Sequence, residues 1–161
     1  MGKLRQTALI LGEGPTEFFY FKSLCDVFKR LTISPDYPKH TNIKELEAKI
    51  AEGVTMGYSH IFCVIDMDTK GREPERSQYQ KLKARYAKPI NKPKKGIYCE
   101  VEFFIKTKGL HGYFERNGGS LEKAVANANR SMDEKLKSAR DYTYSELGRL
   151  IERLEVLHND S

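Results

Sequence analysis

"TALILGEGPTEFFYFKSL", residues 7–24, decides how the rest of the chain is read. Residues 7–11 form a short apolar run closed by a glycine, the pattern of a buried strand. From Pro15 the apolar period changes: Phe18, Phe21, Cys25 and Phe28 recur at threes and fours, with Leu24 and Leu31 beside them. That spacing predicts an amphipathic helix, and Pro15 stands where a first turn tolerates proline. A strand that passes straight into a helix opens an α/β unit. Glu13 and Glu17 at the junction allow three readings: a phosphate-cradling loop, a helix cap, or half of a metal site.

The phosphate loop is the weakest of the three. Gly12 and Gly14 match the first two glycines of the dinucleotide fingerprint, but Glu17 occupies the third position. A carboxylate there repels a pyrophosphate and blocks close helix–strand packing. No G-K-[ST] follows, so the P-loop is absent too. Glu17 also reads as a first-turn glutamate stabilised by the helix dipole. Glu13 is harder to explain away, because open α/β sheets place ligands at the carboxyl ends of their strands.

Further along, residues 32–42 read as a connection containing two prolines, and "IKELEAKIAEG" as a helix stopped by Gly53. "SHIFCVIDMD", residues 59–68, repeats the N-terminal pattern, an apolar run ending in carboxylates. Strand, helix, connection, helix and strand in this order predict parallel pairing through helical crossovers. "EPERSQYQKLKARYA" reads as a polar helix and "KPINKPKKG" as a lysine-rich connection. "IYCEVEFFI" fits a strand or a helix, "GLHGYFERNGGS" a surface loop, and the remainder is helical. There, "TYSELGRLIERLEVL" carries capping-box spacing at Thr143 and Glu146 and an apolar stripe of Leu147, Leu150, Ile151 and Leu154.

Asp66 and Asp68 end the second apolar run two residues apart, so in an extended chain both project to one side. A D-x-D pair of this kind suits a hard cation such as Mg²⁺, which takes carboxylate oxygens and keeps several waters. A calcium loop fails, since Lys70 and Ser77 occupy its fifth and twelfth positions. Strand-end capping is the plain alternative. The coincidence with Glu13 weighs against it: were the two strands neighbours, about 4.8 Å apart, three carboxylates would converge on one cation.

Composition narrows the rest. A chain of 161 residues fits one domain, 1–161, large enough to bury a core without staples. Three scattered cysteines with no C-x-x-C argue against structural zinc and a disulfide framework; Cys63 and Cys99 read as small buried hydrophobes in a reducing cytoplasm. The first residues have too short an apolar segment for a signal peptide, and no stretch is built to span a membrane. A net charge of +6 suits a polyanion. Between Arg76 and Cys99 no acidic residue occurs, while Arg76, Lys81, Lys83, Arg85, Lys88, Lys92, Lys94 and Lys95 are basic. Such a stretch suits a phosphodiester backbone, with Tyr79, Tyr86 and Tyr98 available to stack on bases, or is a solvated helix face and loop.

The strand ending in E-G before a helix, followed by a strand ending in D-x-D, resembles the Toprim domain of topoisomerases, primases and related nucleases. Within that superfamily the chain is similar to the RloB family, through "ILGEGPTEFFYFKSL", "FCVIDMD" and "YTYSELGRLIERL". The resemblance implies a Toprim-like α/β fold, a small mostly parallel sheet flanked by helices with a helical C-terminus. It implies an acidic Mg²⁺ or Mn²⁺ site of Glu13, Asp66 and Asp68, and nuclease action on DNA or RNA in phage defence, often beside an ATPase partner. Glu17 or Glu102 would complete a second metal position. The family's later motif is a glutamate, an apolar run and a histidine. Here Glu102 precedes "FFIKTKGLHGYF", so His111 comes late and two lysines interrupt the run. That departure keeps two other classes open, a non-catalytic nucleic-acid-binding subunit and an enzyme acting on a small phosphate ester.

Overall fold

A computed structural model describes residues 6–25, 28–40, 42–66, 73–106 and 145–160. Five strands form one sheet in the order β2-β1-β3-β5-β4. β1 (Thr7–Leu11), β2 (Thr32–Asp36), β3 (His60–Asp66) and β5 (Ile97–Lys106) run parallel, and the short β4 (Ile90–Lys92) pairs antiparallel with the start of β5. The predicted α/β class and parallel crossovers therefore hold.

Parallel strands covered on both faces need apolar residues at nearly every position. β1 supplies them in alternation. Ala8 and Ile10 face α1 (Pro15–Lys22) and α4 (Ser145–Asn159), while Leu9 and Leu11 face α2 (Ile43–Thr55) and α3 (Glu75–Arg85). β3 splits likewise, Phe62 and Val64 to one core, Ile61, Cys63 and Ile65 to the other. α4 buries Leu150, Ile151, Leu154 and Leu157 against the first core, close to the expected stripe. "IYCEVEFFI" resolves as strand, because Cys99, Val101 and Phe103 meet one core and Phe104 the other.

Four local readings change. The first helix ends at Lys22, where the Ser23 hydroxyl donates to the Tyr20 carbonyl and competes with the helix ladder. Leu24, Phe28 and Leu31 still fill the same core. The proline-bearing connection contains β2, an edge strand with Pro35 inside it, a position an edge tolerates. The lysine-rich connection contains β4 and a 3-10 turn at Pro93–Lys95. Gly53 does not stop α2. It lies inside the helix, buried against the sheet, where an added Cβ would stand 2.6 Å from Leu9 Cδ2 and 3.0 Å from Ile61 Cδ1.

β4 covers only Ile97–Cys99 of β5. Farther up, α4 side chains bond to the strand's backbone. Arg149 donates to the Phe103 carbonyl at 2.9 Å, Glu146 Oε2 accepts from Ile105 N–H at 3.2 Å, and the two side chains pair at 2.9 Å. No helix among the described residues is long and apolar enough to cross a membrane.

Candidate functional site at the strand ends

The chain leaves β1 for β2 on one side through α1, and the next connection, through α2, crosses back past β1 to β3 on its other side. The carboxyl ends of β1 and β3 thus form a topological switch point, the place where open α/β sheets bind ligands. Leu11 pairs with Cys63. Glu13, two residues past the end of β1, lines a cleft with Val64 and Ile65, the residues that precede Asp66 at the end of β3. The two acidic positions follow or end adjacent parallel strands on the same side of the sheet.

Glu13 is half-buried and lines a small cleft with Gly12, Pro38, Asn42, Leu46 and Ile65. Asn42 caps α2 there, its side chain accepting from Glu45 N–H at 2.8 Å, so the positive end of the helix dipole lies next to Glu13. Glu17 is more than a solvated first-turn glutamate. It is 2% exposed and folded over the end of β1, so close that a Cβ on Gly12 would lie 2.5 Å from Glu17 Cβ. Glycine at 12 is therefore what lets the helix bring the Glu17 carboxylate onto the end of β1, next to the loop that carries Glu13.

Of the other expected catalytic and metal-site residues, the structure describes Glu102 alone. Asp68 and His111 lie outside the described residues, as does the side chain of Asp66. Among the described residues no group of three or more His, Cys, Asp or Glu is arranged to hold a metal. Glu102 pairs with Phe62, four residues short of the Asp66–Lys106 pair, roughly 13 Å down the strand. Arg153 Nε holds its carboxylate at 2.8 Å and Arg149 approaches at 3.7 Å. The structure does not bring Glu102 to the strand ends; the arginines of α4 take it up instead.

Two features escaped the sequence reading. Asp36, hidden in the supposed connection, ends β2 at the same side of the sheet, but Lys49 binds it at 2.9 Å, and that hydrogen bond chiefly raises the lysine's pKa. Beneath α4, His60 is buried with Nδ1 3.3 Å from Glu100 Oε2, short of a hydrogen bond's alignment. Burial lowers its pKa, and Glu100 opposes the shift. A histidine opening an apolar run carries no signal that a glutamate on another strand will face it.

All eight basic residues of the acid-free stretch are exposed. Arg76 pairs with Glu73 and Arg85 with Glu47 of α2. Tyr79 and Tyr86 are core residues, 6% and 9% exposed, so neither is free to stack on bases; Tyr98, 50% exposed, is. Cys63 and Cys99 are buried thiols as expected, and burial pushes both pKa values up, that of Cys99 to about 11, which disfavours the thiolate. No protein-family model, curated protein or solved structure matches the chain.

Proposed function

We propose that the protein is a Toprim-like, RloB-type phosphodiester hydrolase that works with Mg²⁺ or Mn²⁺ on DNA or RNA. The observation that supports this is the placement of Glu13 and buried Glu17 at the end of β1, next to the β3 strand that ends at Asp66, at the switch point of a parallel sheet. Carboxylate oxygens without cysteine or histidine are the donor set a hard cation takes, so the residues fit the metal. Bound there, the cation supplies charge stabilisation at a phosphate oxygen and a more acidic water. Asp66, with Asp68 by resemblance, would hold the cation. Glu13, at the mouth of its cleft, completes the ligand set or takes the proton from the attacking water. Glu17, pinned by α1 against Gly12, fixes the loop that carries Glu13.

One observation favours a second reading. Glu102 is engaged by two arginines, which leaves the strand ends one carboxylate poorer and suits a subunit that binds nucleic acid without cutting it.

A cleavage assay on plasmid, single-stranded DNA and tRNA, in each metal, separates the readings. The hydrolase predicts cutting that Glu13→Gln and Asp66→Asn abolish. Binding that survives chelation, with no cutting in any metal, supports the subunit. Turnover of a small phosphate ester with nucleic acid untouched overturns both.

A further inference from the structure

Resting on the nucleic-acid reading above, the fold spreads the acid-free stretch along the whole height of the molecule. α3 begins near the carboxyl ends of the strands and descends along β5. Its Tyr79 meets Phe103 edge-on at 5.9 Å, and Tyr86, the residue just past its end, shares a cleft with Val101. The chain then turns through β4, where Lys92 pairs with Ile97 at the start of β5. At the far end of β5, Lys106 pairs with Asp66. Nine steps of about 3.3 Å along β5 put the lysine turn roughly 30 Å from the candidate site.

The cations along this path are displayed in order. Arg76 and Lys83, seven residues apart, share one flank of α3. Lys83 lines a cleft of about 540 Å³ with Phe103 and Arg149. Beyond α3, Lys88, Lys92, Lys94 and Lys95 are exposed and make no ion pair with another described residue. The last of them stand on a fixed turn. Gly96 adopts φ +66, a left-handed conformation glycine reaches without strain, and its N–H bonds to the Pro93 carbonyl at 3.1 Å.

We propose that Lys92, Lys94 and Lys95 form a second phosphate contact remote from Glu13 and Asp66, and that the substrate is a polynucleotide long enough to reach both. At about 3.4 Å per base pair, a span of roughly 30 Å corresponds to about nine base pairs. A mononucleotide or dinucleotide reaches only one end.

The test compares the full chain with a Lys92→Glu, Lys94→Glu, Lys95→Glu variant for binding a labelled duplex of about 24 base pairs, by fluorescence anisotropy between roughly 50 and 200 mM salt. The variant should bind at least about tenfold more weakly at low salt. Its plot of log K against log salt should be shallower by about 2.7, three phosphates at 0.9 each. The matching Lys→Gln triple lowers the slope equally without added repulsion, and keeps the test open should the glutamate variant fail to fold. Unchanged affinity and slope in both variants overturn this inference alone. Failure of the wild type to bind or cut any nucleic acid overturns the parent reading with it. A loss seen on phosphatidylserine vesicles but not on DNA assigns the turn to a membrane surface and overturns it too.

Discussion

Two acidic regions of this protein invite the same label and differ in kind. At the strand ends, Glu13 and Glu17 lie where α1 and α2 begin, next to the strand that ends at Asp66. Midway along β5, Glu100 and Glu102 lie beneath α4, each within 4 Å of an arginine, beside buried His60. The second region fastens a helix to a sheet. Its carboxylates carry their counter-charges with them, and Arg149 also stacks over Phe104 at 4.1 Å from the ring centre. What separates the two is depth along a strand: Glu102 stops four residues short of the edge where a ligand would enter.

The largest expected effect tests that division directly. Glu13→Gln should reduce cleavage by about 100-fold or more, the scale for loss of a proton acceptor or a ligand, with the melting temperature nearly unchanged. Glu102→Gln should do the reverse. Arg149 keeps Glu146 and Arg153 keeps Glu100, so weakening these partly exposed pairs costs about 1 kcal/mol, read as a melting temperature a few degrees lower, while cleavage per folded molecule stays within a few-fold. Equal loss of activity in both variants would break the comparison.

Gly12→Ala sharpens the first region. Its new methyl would meet Glu17 Cβ rather than a flexible side-chain tip, so α1 must move, at a cost of about 1–3 kcal/mol by denaturant unfolding. Gly14→Ala is the control. No atom lies within 4 Å of its Cβ, and its φ of −171 is extended backbone, so stability should hardly change.

The smallest effect belongs to His60. Burial holds its pKa below the ordinary 6.5, so the unfolded chain takes up the proton first as pH falls. The stability due to neutral His60 is complete above pH 6.5 and is lost progressively below it. Denaturant midpoints at pH 7.5 and 5.5 should therefore differ more in the wild type than in His60→Phe, and parallel shifts would contradict the assignment.

Much of the frame was legible in the sequence. The apolar runs of β1 and β3 marked two buried strands with acidic ends, because a strand buried on both faces leaves an unbroken signature; that they are neighbours depended on the strand order. β2 left none, since an edge strand with Pro35 and one well-buried residue, Ile33, resembles a loop. The tyrosines of α3 were misassigned although their spacing was informative. Tyr79, Leu82 and Tyr86 fall at i, i+3 and i+7, the period of a core stripe, and the surrounding lysines obscured it. Burial of Glu17 was beyond reach, because it depends on how closely α1 approaches Gly12. Pairing of Glu102 depends likewise on α4 arriving from more than 40 residues away.

The Glu146–Arg149 pair has a consequence of its own. With one acceptor and one donor aimed at Ile105 and Phe103, two side chains imitate the hydrogen-bonding rim of a sixth strand. An exposed sheet margin is the usual template on which one copy of a protein recruits the next. Here that template is occupied by a counterfeit neighbour that offers no margin beyond it, so the sheet ends in charge instead of propagating.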